Sequence, residues 1–233
     1  RVARAKARWQ AVDKSGKAFV EIKRLLTDMC WGSRRCMYCE DSLADEIEHF
    51  QPKDLYPEFV FSYENYLYAC GPCNGPKNNR FGVLEPGKDE VTDVTRGRDD
   101  EVEPPLKGEP AFLNPRSDDP LDFLVLDITD TFLFRARPRV GARKKARAEY
   151  TIRELHLNDR SYLVEARRVG YAALVCALEA ARTRKQEGKD LGPPRLSIEW
   201  TPHRSVWEEM KRQRAKVAEL AELFEAVTEA LDW

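Results

Sequence analysis

Long apolar runs, histidine and net charge are what this chain of 233 residues nearly lacks. No stretch of eighteen consecutive apolar residues occurs, which removes a membrane-spanning helix. The opening residues, RVARAKARWQAVDKSGKAFVEIK, hold no apolar segment of the kind a secretory leader needs, so a cytoplasmic setting with reduced thiols is expected. There is no G-x-x-x-x-G-K-[ST] loop, so any nucleotide-driven step must come from a partner. Only three histidines are present. The net charge is −1, where a nucleic-acid protein is usually basic. That average hides two blocks: Thr131 to Lys185 carries fourteen Arg or Lys against five acids, and Pro86 to Asp130 five against thirteen. With 42% apolar residues the chain can still bury a core of its own.

What is present is concentrated between Cys36 and Phe81, CMYCEDSLADEIEHFQPKDLYPEFVFSYENYLYACGPCNGPKNNRF. Four of the six cysteines lie here as two C-x-x-C pairs, Cys36/Cys39 and Cys70/Cys73, with thirty residues between the pairs. Each two-residue spacer forms a tight knuckle that aims both sulfurs inward, so the two pairs are expected to close one tetrahedral, structural Zn²⁺ site. Cys30 and Cys176 fall outside that spacing and read as packing thiols.

His49 lies between the pairs, with Pro52 three residues on, Asn65 sixteen residues on, and Asn74 directly after Cys73; Lys77 closes the run. This order of acidic-His-x-x-Pro, a middle Asn and C-x-x-C-N-x-x-K resembles the HNH, or ββα-metal, endonucleases that carry zinc-knuckle cysteines. With AFLNPRSDDP and TIRELHLNDRSYLVEARR further on, the wording resembles the PtuB-type nucleases of Septu and retron-linked anti-phage systems, over roughly Cys36 to Arg168. The resemblance implies a metal-dependent phosphodiester hydrolase, with DNA as the first expectation and RNA, tRNA for instance, as the alternative. It further implies an ABC-type ATPase partner resembling PtuA, and it leaves open a non-catalytic zinc adaptor of that ATPase.

Within the resemblance, Glu48 and Asn74 would hold one divalent ion, and their oxygens suit Mg²⁺ or Mn²⁺. His49 would be the general base, since imidazole accepts a proton near neutral pH, and Asn65 would orient its ring. Lys77 and Arg80 are candidates for phosphate contact. Adjacent strand residues face opposite sides, so Glu48 and His49 can share a site only at a bulge or a strand end.

The expected class is α+β: a zinc-stapled ββα-metal core followed by a largely helical C-terminal region. The boundaries read 1–35 for an N-terminal helical segment, 36–86 for the core, 87–120 for an irregular acidic connector and 121–233 for a β-hairpin with helices. Lys17 to Met29 reads as an amphipathic helix. Glu46 to Phe50 and Tyr66 to Ala69 read as paired strands, with a short helix or turn opening at Asn74. A hairpin is expected from Asp122 to Arg137, then a helix capped by Asn158 running to about Gln186. After a Gly192-Pro193-Pro194 break, a last helix is expected to start at Ser205 in a capping box with Glu208. Its stripe from Val206 to Leu231 suits internal packing, self-association or docking onto the ATPase.

Overall fold

In the computed structural model, which describes residues 1–233, the strand Glu46–His49 (β1) pairs antiparallel with Tyr66–Ala69 (β2), and Gly71–Lys77 (α3) follows at once. The register is regular from Glu46 opposite Ala69 to His49 opposite Tyr66. There is thus no bulge, and His49 is the last residue of its strand. The helix begins three residues before the expected Asn74, because Cys70 serves as its N-cap and Pro72 sits in its first turn, where a missing N–H costs nothing. It stops at Asn78, whose backbone turns to a positive φ of 33° and breaks the helical run.

Ahead of this unit lie two helices, Val2–Gln10 (α1) and Lys17–Asp28 (α2). Trp9, Phe19 and Leu26 from these helices join Ala44, Val60, Tyr66 and Tyr68 in a small second core. Beyond α3, Gly82–Leu84 (β3) is flanked by Thr92–Asp93 (β4) and Glu109–Pro110 (β5), so the acidic connector is irregular apart from two short edge strands. Leu124–Leu126 (β6) and Phe134–Ala136 (β7) form the expected hairpin. Its turn is tied by the Asp127 carboxylate, which accepts from the backbone N–H groups of Thr129 and Thr131 and from both hydroxyls. Those bonds hold the Asp127 carboxyl below its usual range against the opposing effect of burial.

The helical region runs Ala142–Glu154 (α4), Ser161–Gln186 (α5), Gly192–Trp200 (α6), Arg204–Gln213 (α7) and Ala218–Ala226 (α8). Several expectations are corrected here. Asn158 does not cap α5; its side chain bonds both backbone groups of Phe134, stitching the loop to β7. Gly192-Pro193-Pro194 opens α6, since prolines are at home in a first helical turn. The expected last helix is divided in two by a 3-10 turn at Arg214–Lys216. Ser205 makes no capping box, because its N–H and hydroxyl are taken by the Glu40 carboxylate at 3.0 and 2.6 Å. Cys176, read from the sequence as a packing thiol, is exposed, and so are Phe59 and Phe61.

The main core of 39 buried residues runs without a break from the Cys36 knuckle through Phe81, Leu126 and Leu178 to Ala230. The cysteine knuckles and the helices are therefore one packed body. Gly32, just before the first knuckle, is another close approach: at φ 63° it lies against α6, and a Cβ there would run into the Glu199 carbonyl. Glu40, Ser205 and Gly32 together explain how a knuckle near the start of the chain positions helices 165 residues further on. No helix is long and apolar enough to cross a membrane.

Candidate functional site

The four cysteines converge as their spacing requires. Cys36, Cys39, Cys70 and Cys73 are all buried, and their sulfurs lie within 4.8 Å of one another. Cys39 Sγ and Cys70 Sγ are 3.9 Å apart, close to the ~3.8 Å edge of a tetrahedron with Zn–S bonds of ~2.3 Å. No disulfide forms among them. The donor set, its closure and its burial fit a structural zinc ion. Arg160, just before α5, donates a guanidinium N–H to Cys73 Sγ at 3.3 Å and another to the Pro72 carbonyl, so the helical region touches the thiolate cluster. Such outer contacts orient metal ligands and stabilise their negative charge.

Beside this cluster, where β1 ends against α3, a polar pocket of about 270 Å³ is lined by Glu46, Glu48, His49, Lys53, Asn74 and Asn78 among others. Glu48 and His49 both reach it because His49 terminates the strand. The His49 ring is 1% exposed and is held from three sides. Trp9 packs edge-on at 4.4 Å, Tyr66 does so at 5.2 Å, and Nε2 lies 3.0 Å from the Val60 carbonyl. A carbonyl can only accept, so Nε2 carries the hydrogen and the neutral ring leaves its lone pair on Nδ1. Nδ1 faces Lys53 Nζ at 3.4 Å. Burial first, and the Lys53 charge second, push the His49 pKa down to about 3.

Asn65 makes no hydrogen bond to that ring, whose partners are the Val60 carbonyl and Lys53. Its side chain accepts from Gln51 N–H and donates to the Gln51 and Phe59 carbonyls, while its own carbonyl accepts from Phe50 N–H. It pins the backbone on both sides of the loop that delivers Val60, and Val60 holds the ring. Asn74 lines the pocket, with its amide donating to the Glu46 carboxylate at 2.5 Å.

Lys77 is corrected outright as a phosphate contact. It is fully buried, ion-paired to Glu48, and it donates to the His49 carbonyl at 3.1 Å. Its stem fills the core, and its charge answers a buried carboxylate. Burial raises the Glu48 pKa, with Lys77 opposing. Tyr38 stands 3.5 Å away from the same carboxylate. Arg80 is exposed and paired with Glu154 at 3.0 Å.

One comparison with known proteins finds a relative. Over 70 residues the chain is 40% identical to the Septu protein PtuB of Bacillus thuringiensis. The chain resembles a Septu PtuB protein. The aligned stretch is 28% of this chain and 26% of that PtuB, so the match spans about a quarter of the relative's length. No protein-family model matches the chain, and no solved structure matches it.

The PtuB-like wording leaves four site residues unmarked. Trp9 comes from forty residues upstream of His49, and Val60 acts through its backbone, so neither leaves a sequence signal. Glu46 and Lys53 do leave one: they stand two before Glu48 and four after His49, and both line the pocket.

The depressed His49 pKa has a measurable consequence. The unfolded chain takes up the proton near pH ~6.5 and the folded chain only near pH 3, so the stability tied to a neutral His49 is complete above ~6.5 and falls as pH drops towards 3. Between pH ~6.5 and 5 the expected loss is roughly 2 kcal/mol. His49→Asn should lack that component, so urea midpoints at the two pH values should separate more for the parent than for the variant. Equal separations would place the ring in contact with solvent.

Proposed function

We propose that this chain is an HNH-type, metal-dependent endonuclease that hydrolyses phosphodiester bonds of nucleic acid, DNA first, as effector of a Septu-type anti-phage system beside an ABC-type ATPase. The observation that supports this best is the His49 ring: fixed through Nε2 by a carbonyl, it stays neutral with the Nδ1 lone pair on the side of Lys53, at a polar pocket lined by His49, Lys53, Glu48 and Asn74. That is the arrangement a general base for water activation needs, because the ring must stay neutral and correctly turned before substrate arrives.

Glu48 and Asn74, with Glu46 beside them, offer the oxygen donors that would hold Mg²⁺ or Mn²⁺. Such an ion would supply charge stabilisation at the scissile phosphate. The residues themselves do the remaining work. His49 Nδ1 accepts the proton of the attacking water, Val60 stabilises the ring as it becomes charged, and Lys53 repels that second charge, favouring prompt release of the proton.

One observation favours a second reading, a zinc adaptor of the ATPase without catalysis: Lys77 already neutralises Glu48, and Trp9 covers the ring. His49→Ala separates the two. A nuclease should lose at least about 100-fold in cleavage rate while still melting cooperatively, at a somewhat lower temperature because the buried ring is gone. An adaptor should keep its anti-phage activity. Purified protein, with and without the ATPase, is incubated with DNA and with total RNA in Mg²⁺ and after brief chelation, which leaves the buried zinc in place. Absence of cleavage in every arm, together with full defence by His49→Ala, would rule out the nuclease.

A further inference from the structure

The pocket at Glu48 and His49 is not isolated. A wider cleft of about 1130 Å³ shares Gly75, Asn78 and Asn79 with it and leads away between α1 and the segment after β4. Five basic residues line this cleft: Arg1 and Lys6 on the α1 side, Arg80 at the mouth, and Arg96 and Arg98 from the connector. Two acids accompany them, Asp54 and Asp100, and both are occupied. Asp54 is paired with Lys6 at 2.6 Å, and Asp100 accepts from the Gly97 N–H at 2.6 Å. The Arg96 guanidinium is held by the Asp54 and Glu103 carbonyls, which fix its direction without cancelling its charge. No aromatic side chain lines the cleft.

We infer that this cleft is the track along which the phosphodiester backbone of a nucleic-acid strand runs into the Glu48 and His49 pocket, held by Arg96 and Arg98, with Lys6 and Arg80, each already sharing an acid (Asp54 and Glu154), beside it. Chemistry at the end of the track rests on the nuclease reading; the binding does not. A groove of positive charge that continues into a reactive pocket concentrates a polyanion and sets its direction. With no ring to stack on bases, it reads charge and spacing rather than sequence. The connector, acidic as a whole, thus turns its two neighbouring arginines inward on the face that matters.

The test measures equilibrium binding by fluorescence anisotropy on the full chain carrying His49→Ala, so that the probe survives. The probes are a labelled single-stranded DNA, the matching duplex and an RNA of the same sequence, each titrated across a series of salt concentrations. Arg98→Glu alone, and Arg96→Glu with Arg98→Glu, should weaken binding about tenfold or more and lower the salt slope by roughly one for each phosphate no longer neutralised. Arg182→Glu on α5, far along the basic helix, should leave both unchanged. Melting curves matching the parent keep the reversals interpretable, and Arg98→Glu guards against loss of the Arg96 carbonyl bonds. Unchanged affinity and slope in both reversals would overturn the track, and so would failure of every probe to bind. Cleavage by the otherwise native chain alongside unchanged binding would leave the nuclease reading standing without the track. Binding lost on reversal, in a chain that cleaves nothing, would establish the track and end the nuclease reading.

Discussion

Cys73→Ser should leave a chain that does not hold its helical region, with loss of cooperative melting rather than a modest shift in its midpoint. Cys73 is fully buried, and its sulfur is the point where the second knuckle, the α3 helix and Arg160 meet. Removing the thiolate would open the metal cage and take the negatively charged acceptor from the Arg160 guanidinium, which keeps only the neutral Pro72 and Leu155 carbonyls there. Structural zinc contributes on the order of 10 kcal/mol in small domains that fold around it, which is comparable to the whole stability of a typical protein. The first knuckle, whose two thiols share the same cluster, carries Glu40, whose carboxylate ties down Ser205 at the start of α7, so the damage spreads to the far end of the chain. Metal analysis of the purified protein should find one zinc per chain, and prolonged chelation should reproduce the serine variant in circular dichroism. A zinc-free preparation that melts normally would refute the cage.

The parts of the fold that the sequence makes legible are those in which one local pattern fixes the outcome. Two C-x-x-C pairs leave four thiols little choice but to meet, and EIEHF against YLYAC forces a strand pair with His49 at its end. The hairpin at Asp127 follows from alternation and a turn-forming acid. What the sequence hides depends on long-range competition. Lys77 looks like a surface base beside the motif, yet the nearest uncompensated charge is the buried Glu48 carboxylate, and the ammonium goes to it. Ser205 and Glu208 spell a capping box, but Glu40, 165 residues earlier, reaches the serine first. Asn65 sits where the motif expects a ring partner and instead ties two stretches of backbone, because its amide can satisfy three groups there and only one on the imidazole. In each case the local reading names the right residue type, and tertiary geometry chooses its partner.

Lys77→Met should cost the protein on the order of 3–5 kcal/mol, the range found when one partner of a buried ion pair is removed and the other left behind. The methionine fills nearly the same space against the Phe112 ring, over which the ammonium sits at 5.5 Å, so the loss is electrostatic rather than a cavity. Glu48, 5% exposed, would then lose its ion-pair partner and keep only the Lys53 charge nearby, and its carboxyl, already raised by burial, would rise further. The stability of this variant should therefore improve as pH falls towards the protonation of Glu48, the reverse of the trend tied to His49. Pairing Lys77→Met with Glu48→Gln should recover much of the loss, because a neutral amide needs no ammonium, and the double-mutant cycle should give a coupling of at least about 1 kcal/mol. The salt slope of nucleic-acid binding should be the same in Lys77→Met as in the parent, since a buried ammonium releases no counterions from a backbone. A slope lowered by about one, with little change in stability, would return Lys77 to the surface and to the phosphate.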